Sequence, residues 1–158
     1  MARLAFLFIV STVASAVHAG STRAPEDIYA QKLVNQTIAT YPDLLVVALH
    51  VIPPKSSNNV IIASNIGRIG KRADAEDLKV INTGETLAKV NKFGNRFEVE
   101  QLLHDASQRR IGTIAMVFPH KAGDDNLQFV ARAAKIRDEL ERKIPDVAGL
   151  MKPNAGEP

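Results

Sequence analysis

Two stretches of the chain are apolar on both alternating faces, Leu44 to Ile52 (Leu-Leu-Val-Val-Ala-Leu-His-Val-Ile) and Ile111 to Phe118. Such runs mark strands covered on both sides. Around them the pattern changes period. Between Ala24 and Tyr41, Ala30, Leu33, Val34, Thr37, Ile38 and Tyr41 recur at helical spacing, which predicts a helix with one buried stripe. Pro25 suits its first turn, Glu26 and Asp27 complement the positive end of its dipole, and Pro42 stops it. Pro53-Pro54 ends the first strand and Ser56 to Asn59 is a loop. Val60 to Ala63 reads as a second short strand, Asn65 to Arg72 as a glycine-punctuated basic loop, and Asp74 to Ile81 as a two-turn helix closed by Gly84. Three strands follow, at Leu87–Lys92, Phe97–Leu103 and Ile111–Phe118, joined by a turn at Gly94-Asn95 and a hairpin loop at Asp105–Arg110. Asp124 or Asp125 caps a last helix running to Ile144, with Phe129, Ala133, Ile136, Leu140 and Ile144 on one face. Its wet face offers Asp138 to Arg142 and Glu139 to Lys143 as pairs.

The apolar run from Leu4 to Val17 follows Met1-Ala2-Arg3 and ends at Val17-His18-Ala19. A positive start, an apolar middle and small residues at the cleavage positions read as a secretory signal peptide, residues 1–19, cut after Ala19. The run is shorter than the ~20 residues a membrane span needs and carries three hydroxyls. The expected product is periplasmic or secreted, has no membrane span after cleavage, and consists of one domain over residues 20–144 with a flexible tail over 145–158. The 158 residues contain no cysteine. That removes disulfides, thiolate metal sites and cysteine nucleophiles. A formal charge of +3 is too small and dispersed for a protein built around nucleic-acid phosphates.

The element order, together with Phe97-Glu98-Val99-Glu100, Leu103-His104-Asp105-Ala106-Ser107 and Ile111-Gly112-Thr113-Ile114, resembles the extracytoplasmic sensor domains called Cache, which share the PAS-like fold. The resemblance covers roughly Pro25 to Ile144. It implies an α+β fold: a five-stranded antiparallel sheet in the order 2-1-5-4-3, N- and C-terminal helices on one face, and a small-ligand pocket on the other. That order makes the strands at 44–52 and 111–118 neighbours in the middle, in keeping with their two apolar faces. Members of the family usually continue into a membrane helix and a signalling domain. This chain stops after its last helix, so a single small domain without an output module is expected.

The segment Leu44–Ala73 has no Asp or Glu but contains Lys55, Arg68, Lys71 and Arg72. Such a local charge favours an anion placed beside it. Glycines let backbone N–H groups approach a carboxylate or phosphate, and Arg68 can grip one with two parallel hydrogen bonds. Asn65, Arg68, Lys71 and Arg72 are therefore the candidate residues for an anionic ligand, with His50 and Asn91 as further pocket candidates. The alternative is a solvated basic loop whose glycines serve its turns. Gly67-Arg68-Ile69-Gly70-Lys71 is too short for a nucleotide phosphate loop. It matches the Gly-x-x-Gly of RNA-clamping KH domains, but strand-like Val60–Ala63 precedes it where KH architecture needs a helix.

Glu98 and Glu100 share a face, about 7 Å apart at Cα. Paired carboxylates can work as acid and base or receive a ligand ammonium, but Phe-Glu-Val-Glu more often marks the wet side of an outer strand. His50, His104 and His120 lack the spacing of a metal site, Ser107 reads as turn chemistry, and Asn35-Gln36-Thr37 is a sequon inside a helix. Neither catalytic machinery nor a cofactor is expected. The leading expectation is a non-enzymatic binding module for a small anionic metabolite, such as a carboxylate-bearing one. The alternatives are an interaction module, in which the first helix packs on a protein partner or a second copy, and a small hydrolase using Glu98 and Glu100.

Overall fold

The computed structural model describes residues 28–154. The expected leader at 1–19 and the acidic start of the first helix lie outside the described residues. Within them the chain runs α1 (Tyr29–Thr40), β1 (Val46–Val51), β2 (Val60–Ser64), α2 (Ala75–Thr83), β3 (Leu87–Val90), β4 (Arg96–His104), β5 (Arg110–Pro119), α3 (Asn126–Glu141) and α4 (Val147–Leu150). The strands form one antiparallel sheet in the order β2-β1-β5-β4-β3, the α+β topology expected. All six residues of β1 are buried, as a strand with neighbours on both edges and cover on both faces requires.

One face of the sheet carries the core. Val47 and Leu49 of β1, Phe97 and Val99 of β4, and Ile114, Met116 and Phe118 of β5 pack with Leu33 and Val34 of α1 and Ile136 and Leu140 of α3. Each such side chain contributes about 1.5–3 kcal/mol by leaving water. Phe129 of α3 stacks on Phe97 and leans on Phe118, at centroid distances of 5.2 and 5.5 Å. The Ile111-Gly112 step has a steric cause. A Cβ on Gly112 would lie 1.8 Å from the carbonyl oxygen of His50, so only glycine lets β5 approach β1 there.

Helix α2 lies across the opposite face. Asp74 caps it, accepting from the backbone N–H groups of Glu76 and Asp77, while the Asp77 carboxylate accepts from the Asp74 N–H at 2.7 Å. This reciprocal pair fixes where the helix starts. Gly84 ends it at φ +77°, a left-handed cap that glycine adopts without strain. Only Asp77 and Val80 of α2 are buried, so apolar packing holds it weakly.

Three expectations need correction. The described segment 145–154 is packed where fraying was expected, and 155–158 lie outside the described residues. Asp146 caps the single turn of α4, Leu150 is wholly buried, and Pro153 bridges to Ile28. The predicted pairs on α3 are replaced: Arg137 bonds to Asp138 and approaches Glu141, and Glu139 accepts from the Tyr41 hydroxyl at 2.5 Å. Finally, β3 stops at Val90 because Asn91 turns the chain, its side chain accepting from the N–H groups of Asn95 and Arg96.

Candidate functional site

Between the sheet and α2 lies a cavity of about 340 Å³, at the low end of the ~300–1,000 Å³ typical of small-molecule sites. Strand alternation decides its floor. Val46, Ala48 and His50 of β1 stand beside Val117, Ala115 and Thr113 of β5, and Glu98 and Glu100 of β4 pair with Val117 and Ala115. Because side chains alternate, these residues face α2 while their neighbours face the core. From α2 and its cap come Asp74, Glu76 and Asp77, and from the preceding loop Ile66, Arg68 and Lys71. Arg96 stands at the far end.

The loop folds back along the outer edge of β2. Lys71 O accepts from Ile61 N at 2.9 Å, Gly70 N donates to Ile61 O at 2.8 Å, and Arg72 bridges Val60. The turn between requires positive φ at Gly67 (+74°), Arg68 (+64°) and Gly70 (+84°). A non-glycine residue in that region stores strain, of a kind that clusters at ligand clamps. Here it sets Arg68 at the cavity rim.

The structure thus brings three of the six predicted residues, His50, Arg68 and Lys71, to one cavity. The other three have different work. Asn65 extends the pairing of β1 and β2, donating from its amide to Leu45 O at 3.0 Å and accepting from Val47 N at 2.9 Å. Arg72 belongs to the loop's ladder against Val60, and Asn91 organises the β3–β4 turn.

Sequence reasoning ranked Glu98 and Glu100 as a solvated strand face ahead of a site, and did not place Asp77 beside them. Glu98 and Glu100 are not a wet outer face: both line the cavity, and Glu100 is only 7% exposed. Burial, aided by the neighbouring Asp77 carboxylate, pushes the Glu100 carboxyl up to about 8, so it is protonated at neutral pH. Burial holds His50 below its ordinary value, with Lys71 adding to the effect and Asp77 opposing it. Its Nδ1 lies 3.5 Å from Asp77 Oδ2 without hydrogen-bond alignment. Glu100 Oε1 and Thr113 Oγ1 are likewise buried without a partner among the described residues.

Cations lie around this acidic floor. Lys71 donates to Asp74 at 3.3 Å, while Lys89 of β3 pairs with Glu76 and lies 3.9 Å from Glu98. Among the described residues Arg68 and Arg96 form no ion pair, which leaves both guanidinium groups available to a ligand. His104 and His120 are engaged elsewhere, His104 with Glu141 and His120 between Gly94 O and Asn126. Among the described residues no group of His, Asp and Glu side chains could hold a metal ion, and no helix is long and apolar enough to cross a membrane.

No protein-family profile and no curated protein matches the sequence. Solved structures do match. The GAF domain of a two-component sensor histidine kinase from Bacillus halodurans superposes with a TM-score of 0.50 at 12% identity, covering 72% of this chain and 91% of that one. The Agobacterium tumefaciens repressor BlcR superposes with a TM-score of 0.51 at 14% identity, over 74% of this chain and 67% of its own. At such identities the likeness is one of fold, the open five-stranded GAF/PAS-like sheet.

Proposed function

We propose that this protein is a sensor-type small-molecule binding module of Cache-like character, working outside the cytoplasm and taking its ligand into the cavity under α2. The observation that carries this reading is the cavity itself. It is walled by a helix that contributes little to the core, rimmed by an arginine held at positive φ, and floored by buried polar atoms that lack partners. A chain optimised only for stability satisfies such atoms or replaces them with apolar ones. The fold neighbours point the same way: one is part of a sensor kinase and the other is a repressor. The expected leader peptide supports an extracytoplasmic site. The ligand's anionic group lies against Arg68 and Lys71, the two rim cations predicted from sequence.

A thermal-shift screen of amino acids, carboxylates and nucleobases tests the reading, since a ligand raises native-state stability by mass action. Arg68→Ala with Lys71→Ala abolishes the shift by carboxylates if the rim binds their anionic end. An unchanged shift contradicts that placement.

A second reading, acid–base hydrolysis by Glu98 and Glu100, is favoured by one observation: a carboxyl kept protonated in a cavity beside a carboxylate is what a general acid requires. It expects turnover that Glu100→Gln abolishes. The interaction reading loses its anchor, since the exposed large apolar side chains among the described residues include none between 28 and 41.

A further inference from the structure

We propose that the floor formed by Glu100 and Asp77, with Thr113 buried beside it on the same sheet face, is a subsite for the primary ammonium group of a ligand, making the preferred ligand amphoteric, with its cation deep and its anion at the rim. The inference rests on the small-molecule reading above and specifies which chemistry enters first.

The geometry points this way because the floor offers acceptors. Among the described residues Glu100 Oε1 and Thr113 Oγ1 have no well-aligned hydrogen-bond partner, although Asp77 and Thr113 both lie close to the Glu100 carboxyl, and their residues are 7% and 0% exposed. Register puts Thr113 beside His50 on the cavity face, one strand from Glu100. Asp77 adds a buried carboxylate from α2, and Glu98 supplies another on Glu100's own strand. An ammonium group has three donors on one compact centre and no acceptor, so it answers this set. A carboxylate would bring more acceptors and a like charge, and suits the rim cations Arg68 and Lys71 instead.

The groups facing Glu100 also set a proton balance. Asp77 and Asp74 face it from α2 and its cap, His50 from β1 and Lys71 from the loop, while Glu98, Arg96 and Lys89 stand further along the β4 and β3 side. With Glu100 protonated at neutral pH, the entering ammonium displaces that proton to bulk water and keeps its own three. Affinity for amines therefore rises with pH up to about 8, by as much as about tenfold per unit. Burial holds His50 below its ordinary value, which weakens any opposing proton from that side.

The test compares three matched probe sets on the full chain by thermal shift: 2-amino acids, carboxylic acids of the same carbon chains, and the corresponding primary amines. The subsite predicts larger shifts for amino acids than for matched acids, shifts by amines that grow between pH 6 and 8, and loss of the ammonium contribution in Glu100→Gln. That variant mimics the protonated carboxyl and keeps the fold. Carboxylic acids that act as well as amino acids, with Glu100→Gln without effect, overturn the subsite and leave the small-molecule reading standing. No shift by any set contradicts both.

Discussion

Asp77 Oδ2 lies 3.5 Å from His50 Nδ1, and both side chains are buried beneath α2. This contact ties the helix over the cavity to β1, next to the middle strand of the sheet. Glu100 completes the cluster, and burial disfavours the charged forms of both Glu100 and His50, so the stability of the protein depends on pH from both sides.

Glu100 controls the alkaline side. Its carboxyl is raised from an ordinary value of 4.5 to about 8. Between those values the native state holds a proton that the unfolded state has lost, so stability falls as pH rises, by up to ~1.4 kcal/mol per unit. The full contribution is present below 4.5 and is gone above about 8. Glu100→Gln removes the slope and leaves the variant more stable than wild type by up to about 5 kcal/mol above the upper limit, as urea titrations across this range would measure.

His50 controls the acid side with the opposite sign. Its value is lowered from 6.5, so the stability it contributes is present above that pH and is lost as pH falls and the imidazole must charge. His50→Gln, which cannot take up a proton, flattens this limb. Thermal midpoints measured from pH 7 down to 5 check it.

At Gly112 the expected effect is larger. Any Cβ there meets the His50 carbonyl oxygen at 1.8 Å, and backbone cannot yield as a side-chain end can. Gly112→Ala should cost about 3 kcal/mol or more and weaken the β1–β5 pairing. Equilibrium unfolding gives the magnitude. Amide exchange along Val46–Val51 shows whether the loss is local.

The packed C-terminal segment makes its own prediction. Leu150 is wholly buried within the main core cluster, so Leu150→Ala costs about 2–5 kcal/mol. A frayed tail would make the change neutral, so denaturant midpoints separate the two pictures.

The sheet order came from the resemblance, and the residues supported it through two strands that burial on both faces leaves without alternation and that this order places side by side. The cavity was half legible. Arg68 and Lys71 stood out because the segment around them lacks acids, whereas Glu98 and Glu100 were masked by an ambiguity of periodicity. An alternating strand shows which residues share a face, but not whether that face meets water or a polar cavity under a helix. Asp77 was hidden in the same way: its place in the reciprocal cap of α2 is visible as Asp74-x-x-Asp77, but its approach to His50 depends on where α2 lands. The tail misled because Pro, Gly and Asn give it the composition of a loop, while Leu150 and Met151 anchor it.

Nuclear magnetic resonance most directly tests the claim that the cavity under α2 is the binding site. Backbone amide shifts of the full chain are followed as an active compound from the amino-acid and carboxylate screen is added. The account predicts perturbations concentrated at His50, Arg68 to Lys71, Asp77 and Glu98 to Glu100. Perturbations confined to α1, α3 or the outer edge of β2, or none under any compound, would contradict it.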